Sequence, residues 1–211
     1  MINIDMNKVD IIDLAKDLLE LVKHNTKDDF EKEVITMLIN NGIRRHDENN
    51  GFRICSSIKR TGPQNVDFNA YIEVPYCNLY NAPQEKFMLK YINNLYDLDL
   101  DIDSYSDMCV FSILHEIGHA LDYANKLRYN YNVSEYMDNN RTALANLNIE
   151  TEKRLAQCTN NKEKQQVFYD DWRSYRELET EYQADKWASL FIKEYEGALN
   201  FELNMIDIFE Y

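Results

Sequence analysis

The sequence lacks the features that mark a nucleic-acid-binding or membrane protein. Its 211 residues carry a formal net charge of −14 and no cluster of Lys and Arg, so no segment is suited to neutralising a phosphate backbone. No apolar run is long enough to cross a bilayer. The segment 1–5, MINID, lacks the basic stretch and apolar core of a secretory signal. We therefore expect a cytoplasmic protein with neither a nucleic-acid nor a membrane partner.

Cysteine and histidine are also scarce, with four of each in the chain. The cysteines are widely spaced and form no CxxC pair: Cys55, Cys77, Cys109 and Cys158. Such spacing favours reduced, mostly buried thiols over a disulfide framework or thiolate zinc ligands. Two of the histidines, His24 and His46, have no ligand-like spacing and are expected to be surface or packing residues.

The length and the hydrophobic content of 45% indicate one elaborated domain with a sizeable core. The patterns along the chain predict an α+β fold that is mainly helical. Its expected parts are a helical N-terminal part (1–50), a sheet followed by a core helix (51–127), a helical insertion (128–175), and a last helix with the C-terminus (176–211).

Hydrophobic periodicity places the elements within these parts. Helical spacing over 5–24 and 28–41 predicts two amphipathic helices. Gly42 follows the second one, at the position expected for a helix stop. Strand patterns take over between about 43 and 76, and a further helix is predicted for about 83–95.

The clearest strand pattern is 66–74, where apolar and polar side chains alternate. The segment 61–63, TGP, predicts a turn before it, and Pro75 ends it, as an edge strand would allow. The pattern therefore predicts a strand with one buried face and one wet face.

The segment 115–119, HEIGH, places two histidines four positions apart. On a helix His115 and His119 share a face, so both imidazoles can reach one metal ion. Glu116 projects roughly 100° from His115, where it can contact a water bound to that metal. Zinc-dependent peptide hydrolysis requires this arrangement. The helix is expected at about 107–127, with Ser106 as its cap.

A second motif, EYQAD at 181–185, lies within 177–195, a run that the pattern predicts to be helical. Glu181 and Asp185 are one turn apart and share a face. Glu181 can supply a third zinc ligand. Asp185 can accept the free ring N–H of a ligating histidine, which fixes the tautomer and orientation of that imidazole.

The two motifs in this order resemble the gluzincin-type zinc metallopeptidases, whose third ligand is a glutamate. The run 181–188, EYQADKWA, is similar to the second motif of the ImmA/IrrE-like peptidases, and 115–122, HEIGHALD, is similar to lethal-factor-like peptidases. The resemblance covers about 30 residues in two pieces, so it bears on the site and the core of the fold. His119 and Glu181 are 62 positions apart, which is more than is usual in ImmA-like proteins and points to an inserted helical segment.

The resemblance implies specific roles. His115, His119 and Glu181 would be zinc ligands, Glu116 the general base, and Asp185 the support of a ligating histidine. The fold would have a zincin-like core, in which a small mixed or antiparallel sheet packs on the HExxH helix. The implied function is a zinc-dependent endopeptidase that acts on a protein or peptide substrate.

The target follows from neither motif. The ImmA/IrrE-like resemblance implies regulatory cleavage of an intracellular protein, and the lethal-factor-like one implies a host-directed effector. The alternative from another class is a zinc-stabilised binding or regulatory protein without proteolysis. A metzincin is disfavoured because Asp122 and Asn125 occupy the positions of its glycine and third histidine.

Several roles stay open at this point. Tyr175 is our first choice for the hydrogen-bond donor to the oxyanion, and Tyr123 is the second. Asp122 either orients the imidazole of His119 or faces solvent. By analogy with zincins, the strand 66–74 offers an exposed edge to the substrate backbone, or it is an ordinary strand covered by a neighbour. The insertion either walls the cleft or is purely structural.

Overall fold

The computed structural model describes residues 10–46, 52–60, 66–75, 83–129 and 132–206. These residues form an α+β fold that is mainly helical, with a small mixed sheet, which confirms the predicted class. The helices are α1 (Ile11–Asn25), α2 (Asp29–Asn41), α3 (Pro83–Tyr96), α4 (Tyr105–Arg128), α5 (Val133–Gln157), α6 (Asn161–Arg176) and α7 (Glu179–Ile206). The strands are β1 (Ile43–His46), β2 (Arg53–Arg60) and β3 (Val66–Pro75). None of the helices in these residues is long and apolar enough to span a membrane.

The first two helices begin and end at residues suited to those positions. The Asp10 carboxylate accepts a hydrogen bond from the Ile12 N–H at 2.7 Å and caps α1, and Asp28 caps α2 in the same way. Gly42 ends α2 with a φ of 75°, a conformation that favours glycine, so the predicted helix stop is confirmed. The part of the expected first helix that precedes Asp10 lies outside the described residues.

The sheet has the order β1–β3–β2, with β1 parallel and β2 antiparallel to β3. Ile43, Ile72 and Ile54 are paired across it. The apolar side chains of β3 form its buried face, as the alternation predicts: Ala70, Ile72 and Val74 are fully buried.

The structure decides between the two possibilities left open for 66–74: β3 pairs with a strand on each side, so it is covered by neighbours and is not an edge strand. It cannot offer a free edge to a substrate backbone. Pro75 is tolerated at the last position of the strand, opposite His46, where the ladder ends. Alternation reports which face of a strand is buried and carries no information about its lateral neighbours. The turn predicted at 61–63 lies outside the described residues.

Helix α4 is the centre of the fold. It contacts α1, α2, α7 and the sheet, and 16 of its 24 residues are buried. The sequence predicted Ser106 as the N-cap of α4, but the cap is Ser104. The Ser104 hydroxyl accepts a hydrogen bond from the Asp107 N–H at 3.2 Å. Ser104 has the extended backbone of a cap residue, whereas Ser106 already lies in the first turn and its hydroxyl hydrogen-bonds that of Ser104 at 2.8 Å.

The expected helical insertion is a hairpin of α5 and α6. Arg154 on α5 forms an ion pair with Asp170 on α6 at 2.5 Å. The start of α5 is joined to α4 by a hydrogen bond of 2.9 Å from the Tyr136 hydroxyl to Asp122. The end of α6 packs against α3 through aromatic side chains, so the hairpin is anchored at its base.

Candidate metal centre

The three predicted ligands lie together between α4 and α7. His115 and His119 project from one face of α4, and Glu181 comes from the first turn of α7. The Nε2 atom of His115 is 3.3 Å from Glu181 Oε2, and His119 Nε2 is 3.5 Å from Glu181 Oε1. Ligand atoms bound tetrahedrally to zinc at its usual bond lengths are separated by about 3.4 Å. The separations therefore match those of a shared metal ion.

Burial and unsatisfied polar atoms support the same interpretation. His115, His119 and Glu181 are only 5–6% exposed. Glu181 Oε2 is buried without a hydrogen-bond partner, although His115 Nε2 and Arg176 Nη1 lie 3.3 and 3.5 Å away. A buried carboxylate oxygen is costly to leave without a hydrogen bond, and a metal ion between the three side chains would satisfy it. This buried group of two imidazoles and a carboxylate could hold a metal ion.

Formal charge indicates which kind of ion fits. Three carboxylates lie at the site, those of Glu116, Glu181 and Asp185, and all are buried. One guanidinium, that of Arg176, is buried beside them. A divalent cation would cancel the excess of two negative charges that these four groups carry when the histidines are neutral, and burial without such cancellation is unfavourable.

The two helices that carry the ligands come unusually close at Gly118. A Cβ atom built there would lie 3.0 Å from both the Cα and the carbonyl oxygen of Ala184 on α7. A side chain at position 118 would hold the backbones apart. The glycine within HEIGH therefore lets the backbones of α4 and α7 approach, and with α7 comes Glu181.

Asp185 lies behind His115, where the sequence predicted it. Its Oδ1 atom is 2.9 Å from His115 Nδ1. A hydrogen bond from Nδ1–H to this carboxylate leaves Nε2 unprotonated and directed towards the other two ligands. Asp185 is 1% exposed, so water does not compete for this hydrogen bond.

Arg176, which sequence reasoning missed, completes this group. Its guanidinium donates two hydrogen bonds to Asp185, and its Nη1 atom is 3.5 Å from Glu181 Oε2. Arginine is nearly always exposed in proteins, and nothing in the RELE context of Arg176 distinguishes it from the exposed Arg173. Only its position five residues before Glu181 hinted at a role.

In the metal-free site, the pKa values of His115 and Glu181 are both shifted so that the charged form is favoured. Burial and the nearby Arg176 lower the pKa of His115, but the facing carboxylates of Asp185 and Glu181 outweigh them and raise it to about 9. Burial alone would raise the pKa of Glu181, but the two facing imidazoles hold it well below the ordinary value. In the absence of metal, a proton on His115 therefore supplies part of the positive charge that a metal ion would bring.

His119 is held differently from His115. Its Nδ1 atom is buried and has no hydrogen-bond partner within the described residues. Its ring stacks on that of Tyr123 with centroids 5.9 Å apart. Asp122 plays neither of the roles considered for it, because its carboxylate is partly buried and accepts the Tyr136 hydroxyl. Among the described residues, the contact that orients this imidazole is therefore ring packing rather than a hydrogen bond to Nδ1.

The remaining predicted residues surround the ligands. Glu116 is 8% exposed and next to His115 on α4. Burial, then the Glu181 carboxylate, raises the pKa of Tyr175, and the same two causes raise that of Tyr123. Glu116 also acts on both hydroxyls. Both tyrosines therefore lie near Glu116 and Glu181.

The described cysteines and His24 are not part of the group of possible metal ligands. Within the described residues the free cysteines are Cys55, Cys109 and Cys158, and Cys77 falls outside them. His24 lies in the last turn of α1.

Comparison of the chain with protein-family models, with curated proteins and with solved structures found no match. The gluzincin-type resemblance therefore stays a prediction that the two motifs carry.

Proposed function

We propose that this protein is a zinc-dependent endopeptidase. The observation that carries the proposal is the convergence of His115, His119 and Glu181, with Glu116 beside them. Two imidazoles and one carboxylate form a ligand set typical of catalytic zinc, since three protein ligands leave a fourth position for water or substrate. A zinc ion held there would lower the pKa of bound water to about 7 and polarise the scissile carbonyl.

The side chains of this protein would perform the remaining steps. Glu116 takes the proton of the attacking water and delivers it to the leaving amine. Tyr175 donates a hydrogen bond to the carbonyl oxygen as negative charge develops there, and Tyr123 is the alternative donor. Burial raises the pKa of both tyrosines, which keeps their hydroxyls protonated and able to donate.

Strand β2 replaces β3 as the candidate for binding the substrate backbone. Within the described residues it pairs only with β3, and it lies against α4, which carries the histidines. An extended peptide can add to such an edge through backbone hydrogen bonds. We propose that the substrate lies along β2 (Arg53–Arg60) next to the metal centre.

The test is a peptide-library digest with purified wild-type protein and with Glu116→Gln. The variant is expected to keep stoichiometric zinc and lose cleavage, because it loses a base and no ligand. Glu181→Ala is expected to lose most zinc. Glu152→Gln, which removes an exposed carboxylate on α5, is the matched control and should cut like the wild type. Unchanged cleavage by Glu116→Gln would eliminate the general-base role.

One observation favours the second candidate, a zinc-stabilised binding or regulatory protein. The ligands and Glu116 are all 8% exposed or less, so a substrate needs access that this conformation restricts. Stoichiometric zinc without turnover of any library peptide, with or without a chelator, would support this candidate. If cleavage occurs, comparing newly formed protein termini in cells that express wild type or Glu116→Gln would identify the target.

A further inference from the structure

Besides balancing charge at the metal centre, Arg176 makes directed contacts with Asp185 and His115. It is the last residue of α6, and its side chain is 6% exposed. Its Nε donates to Asp185 Oδ2 at 2.9 Å and its Nη2 donates to Asp185 Oδ1. Its Nη2 is also 3.3 Å from His115 Nδ1. The guanidinium of Arg176 thus contacts both His115, a predicted ligand, and Asp185, the carboxylate that holds this histidine.

The fork of hydrogen bonds determines how the Asp185 carboxylate is turned. The terminal torsion of an aspartate is soft, so a single hydrogen bond leaves the carboxylate free to rotate. Two parallel N–H donors in the plane of a guanidinium remove this freedom. The oxygen that is thereby held, Oδ1, is the one that lies 2.9 Å from His115 Nδ1. The direction of His115 Nε2 therefore depends on Arg176 through Asp185.

The guanidinium is itself held from the other side. Its central carbon lies 5.4 Å from the ring centroid of Trp172, one turn earlier on α6. Trp172 packs edge-on against Phe87 and Tyr91 of α3, with centroids 5.5 and 5.9 Å apart. A chain of contacts thus runs from α3 through the end of the hairpin to the metal ligands.

We propose that Arg176 is a positioning residue of the metal centre: its guanidinium fork locks Asp185, and through Asp185 it directs His115 towards the metal. The α5–α6 hairpin, whose role the sequence left open, delivers this residue. The inference rests on metal binding at the proposed site and is independent of proteolysis. A residue that supports a ligand in this way typically contributes about 10–100-fold to metal affinity.

The experiment compares Arg176→Lys with wild type in zinc titrations against a chromophoric chelator. Lysine keeps the charge but cannot form the two-pronged contact. We expect zinc affinity to fall about 10–100-fold and the visible spectrum of the Co²⁺-loaded protein to change, while circular dichroism shows a folded protein. Arg173→Lys is the matched control, since Arg173 lies on the same helix in an exposed pair with Glu177. It should bind zinc like the wild type.

The same titrations in an Asp185→Asn background separate positioning from a general contribution to folding. Because Arg176 acts through Asp185, Arg176→Lys should cause less than about a 2-fold further loss there, as expected for members of one network. If Arg176→Lys unfolds, Arg176→Gln, which retains one amide donor, is measured in both backgrounds instead.

Four outcomes would be decisive. Wild-type zinc affinity and an unchanged Co²⁺ spectrum in the Arg176 variant would overturn the positioning role, and so would a full additional loss in the Asp185→Asn background. Zinc binding that depends on Arg176 in a protein that cuts no peptide would support the inference and overturn the peptidase. No zinc binding by wild type would overturn both.

Discussion

Replacing Gly118 with alanine would place a methyl group where α4 and α7 touch. The new Cβ atom would lie 3.0 Å from the Cα and carbonyl oxygen of Ala184, and ordinary contacts begin near 3.4 Å. The obstructing atoms belong to the backbone, so relief requires α7 to move away by a few tenths of an ångström. Glu181 is one turn from Ala184 and would move with it.

The expected size of the effect follows from three contributions. Overpacking of this kind costs about 1–3 kcal/mol. Removing a glycine from a helix interior returns roughly 1 kcal/mol. The metal-free Gly118→Ala protein should thus lose about 0–2 kcal/mol of unfolding free energy. Metal sites tolerate ligand displacements of only about 0.2 Å, so zinc affinity should also fall, roughly 10-fold or more.

Urea unfolding with a chelator present measures the stability, and zinc titration measures the affinity. Gly197→Ala is the control, because a Cβ there meets nothing within 4 Å and the residue is exposed on the same helix α7. It should stabilise the protein by up to about 1 kcal/mol and leave zinc affinity unchanged. A Gly118→Ala protein with wild-type zinc affinity would show that the close approach does not place Glu181.

Two further predictions concern protons and the oxyanion. Since the pKa of His115 is raised to about 9, its protonated ring stabilises the metal-free fold fully below its unfolded pKa of about 6.5, and this stabilisation is lost as pH rises through about 9. Zinc binding at pH 7.5 should therefore release a proton, and the affinity should rise as pH rises towards 9. Calorimetry in buffers of different ionisation enthalpy measures the proton release. Zinc binding without proton release would contradict the raised pKa of His115. Tyr175→Phe should lower kcat by about 10²–10³-fold at unchanged zinc content, whereas an unaffected kcat together with a slow Tyr123→Phe enzyme would reverse our assignment of the two tyrosines.

The local parts of the site could be predicted because helix geometry alone determines them. Residues four positions apart share a helix face whatever the rest of the chain does, so His115 with His119, and Glu181 with Asp185, followed from spacing. Gly42 was predictable as a helix stop for the same kind of reason. The first residue of α4 could not be predicted from the sequence. Ser104 and Ser106 are both suited to cap a helix, and only the backbone conformation, which the sequence does not specify, distinguishes them.

The lateral order of strands could not be predicted. Alternation in 66–74 indicates a buried face, but whether a strand is central depends on which other segments pair with it. That choice placed β3 between β1 and β2 and left β2 as an outer strand. The candidate for binding the substrate backbone is therefore no longer 66–74, and in our proposal it is β2.

The sequence by itself determined the chemistry available to this protein: two imidazoles and a carboxylate on one helix, and two carboxylates on another. These are properties of neighbours along the chain, governed by the 3.6-residue repeat. Only the tertiary structure decided that Gly118 brings the two helices into contact and that Arg176 enters the site from the end of α6. Contacts between residues 60 positions apart depend on the packing of whole elements, and no local pattern encodes that packing.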